Sequence, residues 1–172
     1  MYCRLSSYVK DFNILVDSQH GFRANYSTES AIAQFIKPIY HSLEKRHYYF
    51  AICIDFSKAF DCLNYEVLLT KLENIGIRGP ALSLMSDYLH GRTQVVYYNG
   101  QFSDPADLLH GTPQGSQLGP LLFDIYINDI VRSSDTLTFS LYADDSNIGN
   151  SGQDFRRLVD STNRELSCTI GL

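Results

Sequence analysis

"SLYADDSNIG" (residues 140–149) sets two adjacent carboxylates, Asp144 and Asp145, directly behind an apolar run. That run, "LTFSLY" (137–142), reads as a strand that ends at least half buried. Like charges held side by side near a core are costly unless a cation lies between or opposite them. A third carboxylate stands in the same kind of place. Asp55 closes "YYFAICIDF" (48–56), a near-continuous run of apolar, aromatic and β-branched residues that reads as a central strand. If the two strands are sheet neighbours, Asp55, Asp144 and Asp145 converge at one edge. An all-oxygen cluster of that kind must bind cations or protonate, and it favours Mg²⁺ or Mn²⁺ over zinc.

Taken alone, an Asp-Asp turn after a strand is more often ordinary turn chemistry than a metal site. An EF-hand is the other reading, and its positions can be checked. Counting from Asp144 puts Ile148 and Phe155 where ligands are required, and counting from Asp145 puts Arg156 at the final acidic place. Both registers fail.

The rest of the chain bounds the answer. Its 172 residues, 44% hydrophobic and 19% charged, suit one globular domain, with no repeats and no Pro/Gly/Ser linker. A net charge of -5 does not by itself point to nucleic acid. Cys3, Cys53, Cys62 and Cys168 form no CxxC pair and read as reduced thiols. The histidines show no metal-ligand spacing. No apolar stretch approaches the ~20 residues that span a bilayer, and "MYCRLSSYVKDF" (1–12) lacks a signal-peptide core, so nucleus or cytoplasm is the expected location.

Helices are expected at 27–46, 64–76, 79–91 and 153–168. The first carries Ser27 or Thr28 as cap, an apolar stripe of Ile32, Phe35, Ile36, Ile39 and Leu43, and Pro38 as a kink. "TQVVYYNGQFSDPADLLHG" (93–111) reads as a hairpin turning at Asn99-Gly100. "GTPQGSQLGPLLFDIYINDIV" (111–131) opens as a glycine-rich loop and becomes an apolar helix. The loop is no Walker sequence, because no Gly-Lys-Ser/Thr follows. Mixed strands and helices predict an α+β fold: an antiparallel sheet bearing the carboxylates, with helices packed on one face.

The order of "AICIDFSKAFD" (51–61), "HGTPQGSQLGPLLF" (110–123) and "LYADDS" (141–146) resembles the reverse transcriptase domain of non-LTR, LINE-type, jockey-like retrotransposons. Upstream, "DSQHGFRANYSTESAI" (17–32) is similar to that family's fingers-to-palm segment, so the resemblance covers essentially the whole chain. It implies a polymerase palm with partial fingers: the end of the fingers and connecting helix over 1–47, palm over 48–172, and no thumb. The implied activity is RNA-directed DNA synthesis, adding dNTPs to a DNA primer 3′-hydroxyl on an RNA template by two-metal nucleotidyl transfer.

Carried over to this sequence, the resemblance implies that Asp55 and Asp144 hold Mg²⁺ (or Mn²⁺), with Asp145 assisting and the Phe56 carbonyl completing one shell. Phe60 matches the steric gate beneath the incoming sugar, where a ring excludes a 2′-hydroxyl by clash. Its other reading is core packing. Gln114, Gly115 and Ser116 match the nucleotide-side loop, although Gln117 stands where an aliphatic residue is usual. Lys58 and Asp61 match the pattern but read equally as solvated charges. Arg23 would meet a phosphate or else pair with a nearby acid. Two readings compete with the enzyme: a non-catalytic remnant keeping the palm as a binding module, and a cyclase-like palm in which the glutamine-glycine loop has no role.

Overall fold

A computed structural model describes residues 1–170. In chain order the elements begin with helices α1 (Tyr2–Asp11) and α2 (Thr28–Glu44) and strand β1 (Tyr48–Asp55). Helices α3 (Tyr65–Asn74) and α4 (Pro80–Leu89) follow, then short strands β2 (Arg92–Gln94), β3 (Tyr97–Tyr98), β4 (Gln101–Phe102) and β5 (Ala106–Leu108). The chain continues with α5 (Leu118–Ile127), β6 (Thr138–Tyr142), β7 (Asp145–Gly152) and α6 (Phe155–Ile170). The chain forms two compact units, one of Cys3–Ser57 with residues from Ile127 onward, the other of Lys58–Tyr126.

The first unit is built on a three-stranded antiparallel sheet in the order β1-β7-β6. The class is the α+β fold expected, but β1 is an edge strand and β7 is central. Along β1, Ala51, Cys53 and Asp55 are exposed while Ile52 and Ile54 are half-buried, which is the alternation of a strand with one covered face. The covered face packs Ile52 and Ile54 with Phe139, Leu141 and Ile148 against Ile130, Val131 and Leu166. On the same face, Asn150 Nδ2 donates to Thr162 Oγ1 of α6.

The opposite face receives α2, where the Ser140 hydroxyl donates to Ala31 O. The helices are therefore divided between both faces instead of lying on one. Ser27 caps α2 through a reciprocal capping box with Ser30, and the helix runs on through Pro38. Its buried residues are Ala31 and Ser42, so the expected stripe is rotated: Ile32 and Leu43 are 56% and 61% exposed.

The second unit centres on Leu63, Leu68, Leu72 and Leu89, all essentially inaccessible. Asn64 caps α3 by accepting the Val67 N–H, and Pro80 opens α4 at its first turn. The hairpin β3–β4 turns at Asn99 and Gly100, whose φ values of 48° and 82° are the pair a type I′ turn requires. Lys71 ties α3 to α5: its ammonium donates to Tyr126 O and lies 4.9 Å from that ring's centre.

Candidate active site

β7 begins at Asp145, and its register places Asp145 directly opposite Asp55, the last residue of β1. Directly opposed residues on neighbouring antiparallel strands share a face, with Cβ atoms about 4.5–5.5 Å apart. Asp55 and Asp145 are both exposed on the α2 face and line a cleft of about 390 Å³ with Tyr142, Phe35 and Thr28. Asp144, half-buried, is the second residue of the Ala143–Asp144 turn between β6 and β7. Ala143 holds φ +55°, a left-handed conformation that a side chain disfavours. Phe56 follows Asp55 at the strand end.

Among the described residues, no group of three or more His, Cys, Asp or Glu is gathered closely enough to hold a metal ion by itself. The donor set is a facing pair of carboxylates with a third next to it in sequence. That set suits a hard divalent cation that keeps several waters and takes substrate phosphates as further ligands, instead of an all-protein cage.

Arg23 is half-buried. Its Nη1 donates to Val16 O (2.6 Å) and Gln19 O (2.9 Å), and the guanidinium lies 4.2 Å from the Tyr26 ring centre. These contacts close the loop of residues 16–23.

In the second unit, Phe60 sits in a 3-10 turn (Ala59–Asp61) with Lys58 ahead of it at φ +55°. Its half-buried ring is tilted on Phe123 at 4.7 Å, so packing fixes the ring without enclosing it. The 3-10 turn is stapled to the glycine-rich loop: Thr112 N–H donates to Phe60 O (2.8 Å) and Gly111 N–H to Leu63 O (2.9 Å). Gly111 is required there, since a Cβ would meet the Asp61 backbone at 2.7 Å. Gln114 is exposed and donates from Nε2 to Asp61 Oδ1 (3.1 Å), which gives Asp61 a role as the orienter of that amide. Gly115, at φ +77°, turns the chain, and the Ser116 hydroxyl caps α5 by accepting the Gly119 N–H (3.0 Å).

An antiparallel sheet with carboxylates at one strand end and a glycine-glutamine loop beside an aromatic turn defines a polymerase-palm class of protein. Residues 1–167 match the family described as reverse transcriptase (RNA-dependent DNA polymerase), and the chain belongs to that family. It is 32% identical over 127 residues to the probable RNA-directed DNA polymerase from transposon BS of Drosophila melanogaster, covering 74% of this chain and 14% of that protein. It is 28% identical to the probable RNA-directed DNA polymerase from transposon X-element of the same fly, over 83% of this chain and 16% of the relative. The chain thus spans about a sixth of the length of these relatives. The fold is also similar to that of part of telomerase from Candida albicans, solved with a TWJ fragment of telomeric RNA. That match has a TM-score of 0.66 and 16% identity, over 95% of this chain and 31% of the telomerase chain. No helix among the described residues is long and apolar enough to cross a membrane.

Proposed function

We propose that this chain carries the polymerising centre of an RNA-directed DNA polymerase from a non-LTR mobile element, acting on an RNA template, a DNA primer and dNTPs. The observation that carries the reading is the register pair Asp55–Asp145, with Asp144 in the adjoining turn. Asp55, Asp144 and Asp145, with the Phe56 carbonyl, would hold Mg²⁺ or Mn²⁺. Such ions, when bound, sharpen an attacking 3′-hydroxyl and neutralise a pyrophosphate leaving group.

The chain's own residues do the rest. Phe60, propped by Phe123, matches the family's sugar gate, where an aromatic ring excludes a 2′-hydroxyl by clash. Gln114, oriented by Asp61, with Gly115 and Ser116, matches the family's nucleotide-side loop, and Arg23 is assigned to the phosphates on the same resemblance. The retention of all three aspartates supports an enzyme over a non-catalytic palm. A net charge of -5 gives little general attraction to phosphate, so template and primer affinity rests on local contacts.

The test is Mn²⁺ binding by electron paramagnetic resonance in this chain, with primer extension in a fusion to the flanking segments of a jockey-type relative. Asp55→Asn and Asp144→Asn should each remove binding and extension while the circular dichroism spectrum stays unchanged. Extension at the parent rate by either variant would refute the assignment.

A further inference from the structure

Three residues within "SQHGFR" (18–23) are buried deeply for a polar loop. Gln19 is fully inaccessible, His20 is 5% exposed and Gly21 is buried. Its backbone runs parallel beside β6: His20 N–H donates to Leu141 O and Leu141 N–H to Ser18 O, both at 2.8 Å. The free edge of β6 is thereby occupied up to two residues before Ala143. Gly21 then abuts the turn itself. A Cβ at Gly21 would lie 2.4 Å from Ala143 N and 3.1 Å from its Cα, main-chain atoms that no side-chain rotation can clear. Gln19 Oε1 holds Gly21 in place by accepting its N–H at 2.8 Å.

His20 locks this segment to α2 and back to β6. Its Nδ1 lies 2.7 Å from Ser30 Oγ, within the α2 capping box, and its Nε2 lies 2.6 Å from Gln34 Oε1. Gln34 Nε2 donates in turn to Phe139 O (3.2 Å), so imidazole, helix and strand form a closed ring of bonds.

We propose that Ser18–Gly21 is a positioning device for the carboxylate turn, with His20 and Gly21 as its positioning residues. This rests on reading Asp55, Asp144 and Asp145 as metal-holding groups. A turn that keeps Ala143 at positive φ relaxes unless its surroundings over-determine it. The backbone of Gly21 and the strand-like pairing of Ser18–His20 supply that constraint on the side of the turn away from β1. Because Asp144 and Asp145 follow Ala143 directly, any slack there moves two of the three carboxylates. Misplacement of a reacting group by 1 Å costs about a hundredfold in rate.

The experiment compares Gly21→Ala, His20→Ala and His20→Gln in this chain by hydrogen exchange at residues 141–146, melting temperature and Mn²⁺ affinity. Gly21→Ala should speed exchange at the turn and weaken Mn²⁺ binding about tenfold, a fraction of the full misplacement cost. Exchange elsewhere in the same sheet should stay as in the parent. His20→Gln, which keeps a hydrogen-bonding group, should fall between His20→Ala and the parent in both readouts. If Gly21→Ala does not fold, the two His20 variants decide. Unchanged exchange at the turn in the variants overturns the proposal, as does faster exchange with unaltered Mn²⁺ affinity. Failure of the parent chain to bind Mn²⁺ refutes the metal reading instead, and the exchange data then still decide whether the segment braces the turn.

Discussion

Replacing Asp145 by asparagine should make the metal-free protein more stable and the metal-loaded protein less so. Asp55 and Asp145 are exposed and directly opposed in register, the arrangement in which like charges across a sheet repel. At about 5 Å, two unit charges repel by about 0.8 kcal/mol in bulk water and about 3 kcal/mol at an effective dielectric of 20. Exposure and physiological salt hold the value near the lower end, on the order of 0.5–1 kcal/mol. Asparagine keeps the shape and removes the charge. In a domain of this length that relief is a rise in Tm of about 1–4 °C. With metal the sign reverses, since an ion at ten times its Kd adds about 1.4 kcal/mol to the parent and nothing to a variant that cannot bind it. Differential scanning calorimetry with EDTA and then across a Mg²⁺ series measures both arms, and the two Tm curves should cross. Metal stabilisation that persists in Asp145→Asn would refute the site. A metal-free Tm equal to or below the parent's would refute the charge argument.

Phe60→Val should raise the ratio of kcat/KM for ribonucleotides over deoxynucleotides in the active fusion, because shortening the ring removes a clash; if both values fall together and the protein unfolds, Phe60 is only packing against Phe123. Gly111→Ala should cost about 2–4 kcal/mol in urea unfolding, from a positive φ of 84° plus the 2.7 Å approach to the Asp61 backbone; a loss under ~1 kcal/mol would mean the loop shifts freely. Burial pushes the Tyr65 phenol above its ordinary value, with Arg92 pulling the other way. The unfolded phenol ionises first, so this contribution to stability is whole below pH ~10 and is lost as pH rises through the raised value. The parent's urea midpoint should therefore fall further than that of Tyr65→Phe between pH 9 and pH 11, and parallel declines would count against it.

Turns and caps were legible because each rests on a local rule. Asn99-Gly100 turned where its φ requirements say it must, and Ser27 and Asn64 capped the helices that follow them. What escaped was set by pairing. β7, "DSNIGNSG", has Ile148 as its sole large apolar residue and low strand propensity throughout, so nothing in its composition marks it as the centre of a sheet. The available signal lay next to it: a two-residue turn after β6 obliges the chain to return along that strand. β1 read as central because it is apolar on both faces, yet Ala51 and Cys53 are exposed at a sheet edge. Helix α1 carries no side-chain cap and no acidic first turn, and it is held by burying Leu5 and Val9. Propensity is a weak prior where tertiary contacts decide.

Local rules are also broken in this sheet, and the breaks coincide. Ala143 stands at a positive φ that glycine would occupy at lower cost, and Asp55 faces Asp145 across a strand pair where like charges repel. The neighbouring Gln19 is buried with its Nε2 lacking a partner among the described residues. Each choice carries a cost on the order of 1 kcal/mol, and glycine at 143 or asparagine at 145 would improve the apo fold. Scattered, they would read as noise. Gathered around one hairpin turn, they are what the proposed site requires, stability giving way to holding two carboxylates at a fixed separation. The metal-free gain expected of Asp145→Asn follows from the same logic, and on the proposed reading a bound cation supplies the charge that balances these aspartates.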